Sequence, residues 1–221
     1  NRDFTIPSAV HWAADNGYFD IVKYLVDITE DKNPRDKNGN RPLHYAAKKG
    51  HFNTMKYLVD KEVKSCIAGL YKINDRNPRN KSGYTPLHAA AAQGELETFK
   101  MIANKVTDIN PRNNTGWTPL HEAAARDHLA ICKLIVPKLE EKCPRDNLQN
   151  TPLHYAAKAG NFGIVDYMID FVKDGQPLDM DEKTPKNYME QIYESLKVLE
   201  NLNEKLNHYS EGPNPAPNLH R

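Results

Sequence analysis

The chain has 221 residues, and its 30 Lys plus Arg residues nearly balance its 29 Asp plus Glu residues, so bulk charge favours neither a nucleic acid nor a membrane surface as a partner. No apolar run approaches the ~20 residues that a membrane-spanning helix requires, so no membrane insertion is predicted. The three cysteines, Cys66, Cys132 and Cys143, lack a C-x-x-C spacing, which favours a reducing compartment and predicts a cytoplasmic location, with a nuclear one as the alternative.

One short motif of the form T-P-L-H-x-A-A recurs along the chain. It stands at residues 85–91, 118–124 and 151–157, a variant stands at 41–47, and its second half stands at 10–14. The motif histidines are His11, His44, His88, His121 and His154. Successive histidines are 33 residues apart, except for the 44 residues between His44 and His88. A fixed period of this length indicates stacked copies of one structural unit.

The motif itself predicts the start of a helix. Threonine at the N-cap can accept free amide hydrogens of the first turn, and proline fits the next position without losing a hydrogen bond. The alanine pair lets a neighbouring helix approach closely, and an apolar helical pattern follows each motif, such as Ile131–Cys132 with Leu134–Ile135. A left-handed residue that ends the first helix is predicted six positions after the histidine, at Gly50, Gly94, Asp127 and Gly160.

A 33-residue period that carries T-P-L-H-x-A resembles the ankyrin repeat, a β-turn followed by two antiparallel helices. The resemblance covers roughly residues 1–209 and implies an all-α ankyrin-repeat α-solenoid with β-hairpin-like turns and about six repeats, the last one degenerate. The predicted ankyrin-repeat domain comprises repeats 1–35, 36–79, 80–112, 113–145 and 146–178 and a capping unit 179–209. A Pro-rich tail, 210–221, is typical of a linker or a disordered end.

The first repeat has an apolar outer face, to which Phe4, Ile6, Val10 and Trp12 contribute. Terminal repeats of a stack need a polar outer face. We therefore expect either further repeats upstream or a partner that covers this end, unless Phe4 and Ile6 fold back over their own repeat.

The second repeat holds 11 extra residues between Asp60 and Asn77. Apolar residues keep a helical spacing through this stretch, which predicts a second helix lengthened to about Leu70; a loop on the surface is the alternative. A lengthened helix can create a local bend or a ledge where a partner docks.

The capping unit departs from the motif, because Glu182, Asn187 and Met189–Glu190 replace the turn glycine, the histidine and the alanine pair. A heptad-like stripe then follows on one long helix, at Tyr188, Ile192, Ser195, Leu199, Leu202, Leu206 and Tyr209. We expect this helix to cap the stack, and homo-association through residues 188–209 is the alternative.

The nine histidines do not predict catalysis or a metal site. Equivalent histidines of helices stacked ~8–10 Å apart are too distant to share a metal, and we expect each imidazole to bond its own cap and adjacent backbone. The chain has no H-E-x-x-H, G-x-S-x-G or P-loop motif, so neither an enzyme nor a cofactor is predicted.

The resemblance implies that a partner protein lies in the concave groove between the hairpin tips and the first helices. Tyr84 and Trp117 share one tip position and are the leading predicted anchors, because binding energy concentrates in aromatic residues; packing of each ring on its own hairpin is the alternative. The remaining predicted partner-binding residues are Lys37, Asn40, Lys48, Lys49, Lys81, Arg126, Asn150 and Lys158.

An arginine follows a proline at each full junction between repeats, and these arginines, Arg35, Arg79, Arg112 and Arg145, are secondary site candidates. They could bind carboxylates or phosphates, or each could pair with the Asp or Asn beside it (Asp36, Asn80, Asn113 or Asp146). With the groove lysines they favour an acidic or phosphorylated partner that places an apolar residue near Trp117.

The sequence therefore predicts a non-catalytic scaffold for protein–protein interaction. The alternative is a tethering or elastic arm of a larger multidomain enzyme, channel or toxin. A third hypothesis, asparagine hydroxylation at Asn33, comes from the family resemblance alone.

Overall fold

The computed structural model of the chain describes residues 6–29, 31, 33–66, 77–171 and 177–210, with the backbone alone at 6–8, 61–66 and 198–210. Within these residues the chain forms helices and no β-strand. The helices are α1 (Ile6–Asn16), α2 (Phe19–Ile28), α3 (Pro42–Lys48), α4 (Phe52–Cys66), α5 (Pro86–Gln93), α6 (Leu96–Ala103), α7 (Pro119–Ala125), α8 (Leu129–Ile135), α9 (Pro152–Ala159), α10 (Phe162–Ile169) and α11 (Pro185–Ser210).

The helices form two layers that follow the chain order. The first helices of the repeats, α1, α3, α5, α7, α9 and α11, pack successively on one another, and the second helices, α2, α4, α6, α8 and α10, do the same. Each second helix also packs on the first helix of its own repeat. The predicted all-α solenoid with stacked helix pairs is confirmed.

The core runs along the whole stack between the two layers. The motif leucines, such as Leu87 and Leu120, and the motif alanines are fully buried, and they meet larger side chains of the second helices, such as Phe99 and Ile131. Because alanine is small, neighbouring first helices can approach closely, and the bulky residues fill the space toward the second layer.

Each internal motif forms the predicted N-cap. The Thr85 hydroxyl accepts a hydrogen bond from the His88 backbone N–H, and the His88 Nδ1 accepts one from the Thr85 N–H at 3.2 Å. The same imidazole bond forms at Thr118 and Thr151, and the Arg41 N–H donates to His44 at 3.0 Å. Helices α3, α5, α7 and α9 therefore begin at the proline, as the motif predicts.

The opposite ring nitrogen of each motif histidine bonds the next repeat. Nε2 donates to the carbonyl oxygens of Asn40, Tyr84, Trp117, Asn150 and Lys183 at 3.0–3.3 Å, from His11, His44, His88, His121 and His154 in that order. The predicted structural role of the histidines is confirmed, and their backbone partner lies one repeat further along. No group of three or more His, Cys, Asp or Glu residues in the described part of the chain could hold a metal ion.

Left-handed residues end the first helices where the sequence predicts them. Gly50, Gly94, Asp127 and Gly160 all have positive φ angles, between 62° and 76°. Gly94 is also constrained by space, because a Cβ atom there would lie 2.6 Å from the His128 ring.

The lengthened second helix of repeat 2 is confirmed as far as the structure describes it. Helix α4 has 15 residues, against 10 or fewer in the other second helices. The predicted continuation to about Leu70 lies outside the described residues, so a bend or docking ledge there stays a prediction.

Helix α11 begins at the predicted cap and packs on α9. Asn187 replaces the motif histidine, and its Oδ1 accepts the Thr184 backbone N–H at 2.8 Å. The Ile192 side chain lies beside Gly160 of α9, which supports the capping role. The side chains of the stripe from Leu199 onward and the tail 211–221 lie outside the described residues, so homo-association stays a prediction.

We predict that acid weakens the stack through these histidines. Burial lowers the pKa of His44, His88 and His121 to about 4, whereas the histidine of an unfolded chain titrates near 6.5. Between these values the unfolded chain binds a proton that the folded chain does not, so the stability present above pH 6.5 is lost as the pH falls toward 4. The loss is about 1.4 kcal/mol per pH unit for each histidine.

The His121→Asn variant tests this prediction, because Asn187 shows that asparagine can form the cap bond. The free energy of unfolding of parent and variant is measured with urea between pH 7.5 and 4.5. At pH 7.5 the variant should have a lower free energy of unfolding than the parent. Below pH 6.5 the decline should be shallower than in the parent by about 1.4 kcal/mol per pH unit. Parallel pH profiles of parent and variant would contradict it.

Candidate protein-binding groove

The hairpin tips form one hydrogen-bonded row. In each tip an Asp or Asn side chain accepts two backbone N–H bonds; Asp36, for example, accepts those of Asn38 and Asn40, both at 2.8 Å. Successive tips are joined directly, since the Lys81 N–H donates to the Asn38 carbonyl at 3.0 Å and the Asn114 N–H to that of Ser82 at 3.0 Å. The row fixes the positions from which the tip side chains project.

The junction arginines bond carbonyl oxygens. The Arg35 Nη1 donates to the Gly39 carbonyl of its own tip at 3.0 Å and to the Arg79 carbonyl of the next repeat at 2.9 Å. Arg79 and Arg112 likewise donate to the carbonyl of the following arginine, and Arg145 donates to that of Leu178. The predicted pairing of these arginines with Asp36, Asn80, Asn113 or Asp146 is therefore wrong, because those side chains are engaged by backbone N–H groups.

The two predicted aromatic anchors are half-buried within the stack. The Tyr84 ring lies 4.8 Å from the His88 ring, and Trp117 lies 4.5 Å from Tyr155 and donates its Nε1–H to the Tyr155 hydroxyl at 3.2 Å. Burial raises the pKa of Tyr84. Trp117 thus packs against the neighbouring repeat as well as its own histidine, and only part of each ring remains accessible to a partner.

A tyrosine–aspartate pair, which the sequence reasoning missed, ties the first helix to the tip in three repeats. The Tyr45, Tyr155 and Tyr188 hydroxyls each donate at 2.7 Å to the tip carboxylate nine residues earlier, on Asp36, Asp146 and Asp179. The signal is visible in the alignment of the repeats. Where the tip residue is Asn80 or Asn113, the tyrosine position holds Ala89 or Glu122.

The predicted cationic residues separate into two groups. Lys37, Lys48, Lys49 and Lys81 are exposed and form no ion pair within the described part of the chain. Arg126, in contrast, is bonded to the buried Glu122 carboxylate, and Lys158 lies 3.5 Å from the buried Asp179 carboxylate. Among the predicted cationic residues, those without an ion pair in the described part of the chain therefore lie on repeats 2 and 3.

The buried carboxylates differ in their surroundings. Burial raises the pKa of Glu122, and Arg126 opposes that effect. Burial would also raise the pKa of Asp179, but the Tyr188 hydroxyl, two backbone N–H groups and Lys158 lower it to about 2. Both acids consequently act as internal partners for cations on the groove surface.

The two predicted asparagine contacts are engaged within the stack. The Asn150 side chain is buried and accepts a hydrogen bond from Lys158 at 2.8 Å, so it is not accessible to a partner in this conformation. Asn40 donates to Asp36 at 3.1 Å and accepts a bond from Asn80 at 2.8 Å.

We predict that Trp117 stabilises the fold whether or not a partner is present. The Trp117→Ala variant should lose about 1–3 kcal/mol of unfolding free energy, because it removes a half-buried ring that packs on Tyr155 and His121. The Trp117→Phe variant keeps an aromatic ring and should lose less than about 1 kcal/mol. Urea unfolding of the free chain measures both, and an unchanged stability of the alanine variant would contradict the packing role.

The comparisons with known proteins agree with this architecture. A family model described as ankyrin repeats (3 copies) matches residues 3–68, 63–146 and 105–179, and no curated protein matches the chain. No helix in the described ranges is long and apolar enough to span a membrane. Domains of this class are typically non-catalytic and generally mediate protein–protein interaction. The chain belongs to the ankyrin-repeat family.

Proposed function

We propose that the chain is a non-catalytic scaffold in the cytoplasm, with the nucleus as the alternative, that binds an acidic or phosphorylated segment of a partner protein in its concave groove. The anionic part of this segment lies across repeats 2 and 3. An apolar residue of the same segment contacts the accessible part of Trp117.

A single observation carries this proposal: four exposed lysines form no ion pair within the residues that the structure describes, Lys37, Lys48, Lys49 and Lys81. Arg126 and Lys158 already face buried carboxylates. A partner carboxylate or phosphate therefore gains more from the lysines of repeats 2 and 3, which form no ion pair in the described part of the chain, than from the cations of repeats 4 and 5.

The rigid tip row supports binding of an extended segment. Consecutive tips are held by backbone hydrogen bonds at 3.0 Å, so the groove does not need to become ordered when a partner binds. Preorganisation of this kind lowers the entropic cost of association. Trp117, fixed by its bond to Tyr155, offers a flat apolar surface beside the charged region.

A peptide array tests the proposal directly. The array carries four classes of peptide: acidic, phosphoserine-containing, neutral and basic. Half of the peptides in each class contain one leucine or phenylalanine, and the labelled 221-residue chain is the probe. We expect the chain to retain the acidic and phosphorylated classes, and the Lys48→Glu/Lys49→Glu variant to weaken that binding at least about tenfold. Binding should also weaken as salt is raised from 50 to 300 mM.

The matched control is the Lys23→Glu/Lys56→Glu variant, which changes the net charge equally at two exposed lysines of the second helices. It should bind like the parent chain. Equal losses in the two variants would indicate a nonspecific effect of net charge, and selection of neutral or basic peptides would refute the proposal.

A further inference from the structure

The outer surface of the first repeat is apolar and exposed. We define the N-terminal face as Tyr18, Ile21, Tyr24, Leu25 and Ile28, which lie on α2 or just before it. Ile21 is 45% exposed, Tyr24 is 65% exposed and Ile28 is 53% exposed. In a stable stack the terminal units instead carry polar residues on their outer faces.

Two of these positions, those of Ile21 and Leu25, are covered in every later repeat. The equivalents of Ile21 are Thr54, Thr98, Ile131 and Ile164, which are between 0% and 2% exposed. The equivalents of Leu25 are Leu58, Ile102, Ile135 and Met168, and all are buried, whereas Leu25 itself is only half-buried. These positions face the preceding repeat, so the N-terminal face continues the interface that joins the repeats.

The hydrogen bonds on the second-helix side of the junctions run opposite to those of the motif histidines. Here the later repeat donates and the earlier repeat accepts: His51 Nε2 donates to the Asp15 carbonyl at 2.9 Å, and the Tyr57 hydroxyl donates to the Asp27 carboxylate at 3.1 Å. Tyr18 and Tyr24 hold the positions of His51 and Tyr57, 33 residues earlier. The N-terminal face therefore presents two hydroxyl donors among apolar side chains.

The chemistry of a matching occupant follows from the surfaces that these junctions use. The second helices of repeats 1 and 2 carry an aliphatic residue followed by an acid at their eighth and ninth positions, Val26–Asp27 and Val59–Asp60. Both valines are fully buried, and both acids accept bonds from the next repeat. A surface that complements the N-terminal face should carry the same pair.

A second copy of the chain does not meet this requirement. Its own last second helix, α10, ends in Ile169–Asp170, and Ile169 is 45% exposed. However, stacking of another copy's α2 on α10 would bring that copy's α1 onto α9, where α11 already packs. Head-to-tail assembly is thus blocked, whereas a separate unit on the N-terminal face meets no such obstacle among the described residues.

We propose that the N-terminal face is a docking surface for one further ankyrin-type repeat, whose second helix carries an aliphatic residue at its eighth position and an acid directly after it. The first repeat is then an interior unit of the stack. At the opposite end α11 packs on α9, and it exposes Lys186, Glu190 and Glu194 as well as the apolar Tyr193 and Leu196.

A fusion tests this proposal with the chain's own repeats. A copy of residues 146–178 is joined directly to residue 3, which places the copied His154 33 residues before His11 and supplies Ile169–Asp170. We expect the melting temperature to rise by at least about 5 °C over the unfused chain. The Ile21→Lys/Tyr24→Lys substitution should abolish that rise. In the unfused chain it should change the melting temperature by less than about 2 °C.

A matched control and a second fusion separate docking from other effects. The Tyr193→Lys/Leu196→Lys variant changes equally exposed apolar residues on α11 and should retain the full rise. A copy of residues 113–145 joined at residue 3 keeps the same spacing but has Val136–Pro137 instead of the aliphatic–acid pair, so its rise should be smaller.

Three results would overturn the proposal. One is that neither fusion raises the melting temperature. Another is that Ile21→Lys/Tyr24→Lys destabilises the unfused chain as strongly as the fused one, since the face would then be covered by the chain itself. The third is that sedimentation of the unfused chain reveals a dimer that this double substitution dissolves, because the occupant would then be a second copy.

Discussion

The constraint on which the stack depends is the neutral imidazole of four motif histidines, His44, His88, His121 and His154. One ring nitrogen closes the cap of its own first helix, and the other donates to a carbonyl at the next tip. Burial keeps the ring uncharged, with a pKa of about 4 at His88, so both bonds persist at neutral pH. A single side chain thus joins local helix formation to the docking of the next repeat, and it links each unit mainly to its immediate neighbours.

The same bonds determine the properties of the groove. Because each histidine holds the carbonyl of the tip residue in the following repeat, the side chains of Tyr84 and Trp117 start from a fixed backbone. The tip-to-tip amide bonds and the arginine–carbonyl bonds then make the row continuous. The backbone of the proposed groove is consequently held in place by the fold itself, and the proposed recognition depends on which side chains that backbone leaves without an internal partner.

The features predicted correctly from the sequence are those that depend on neighbours within one repeat. Thr85 and Pro86 specify a cap, and Gly94 or Asp127 specifies a left-handed turn, because the physics involved spans only a few residues. Two errors have a different cause. One is the predicted pairing of Arg35 with Asp36, and the other is the ion pair of Lys158 with Asp179, which the sequence did not predict. Each cation has a partner in the adjacent repeat, the Arg79 carbonyl for Arg35 and the Asp179 carboxylate for Lys158, and a one-dimensional pattern does not reveal which polar group there a long side chain reaches.

The substitution of Asn187 for the motif histidine separates the two roles of the imidazole. The asparagine Oδ1 accepts the Thr184 amide, so the cap of α11 is complete. The short asparagine side chain has no counterpart of the histidine Nε2, which donates to the carbonyl of the next tip. The described part of the chain contains no tip after Asn187 that would accept such a bond. A histidine at this position therefore marks a repeat that another repeat follows, and His11 obeys that rule through its bond to Asn40. This rule concerns only the surface of a repeat that faces the next repeat. The surface that faces the preceding repeat has its own indicator, the character and burial of residues such as Ile21.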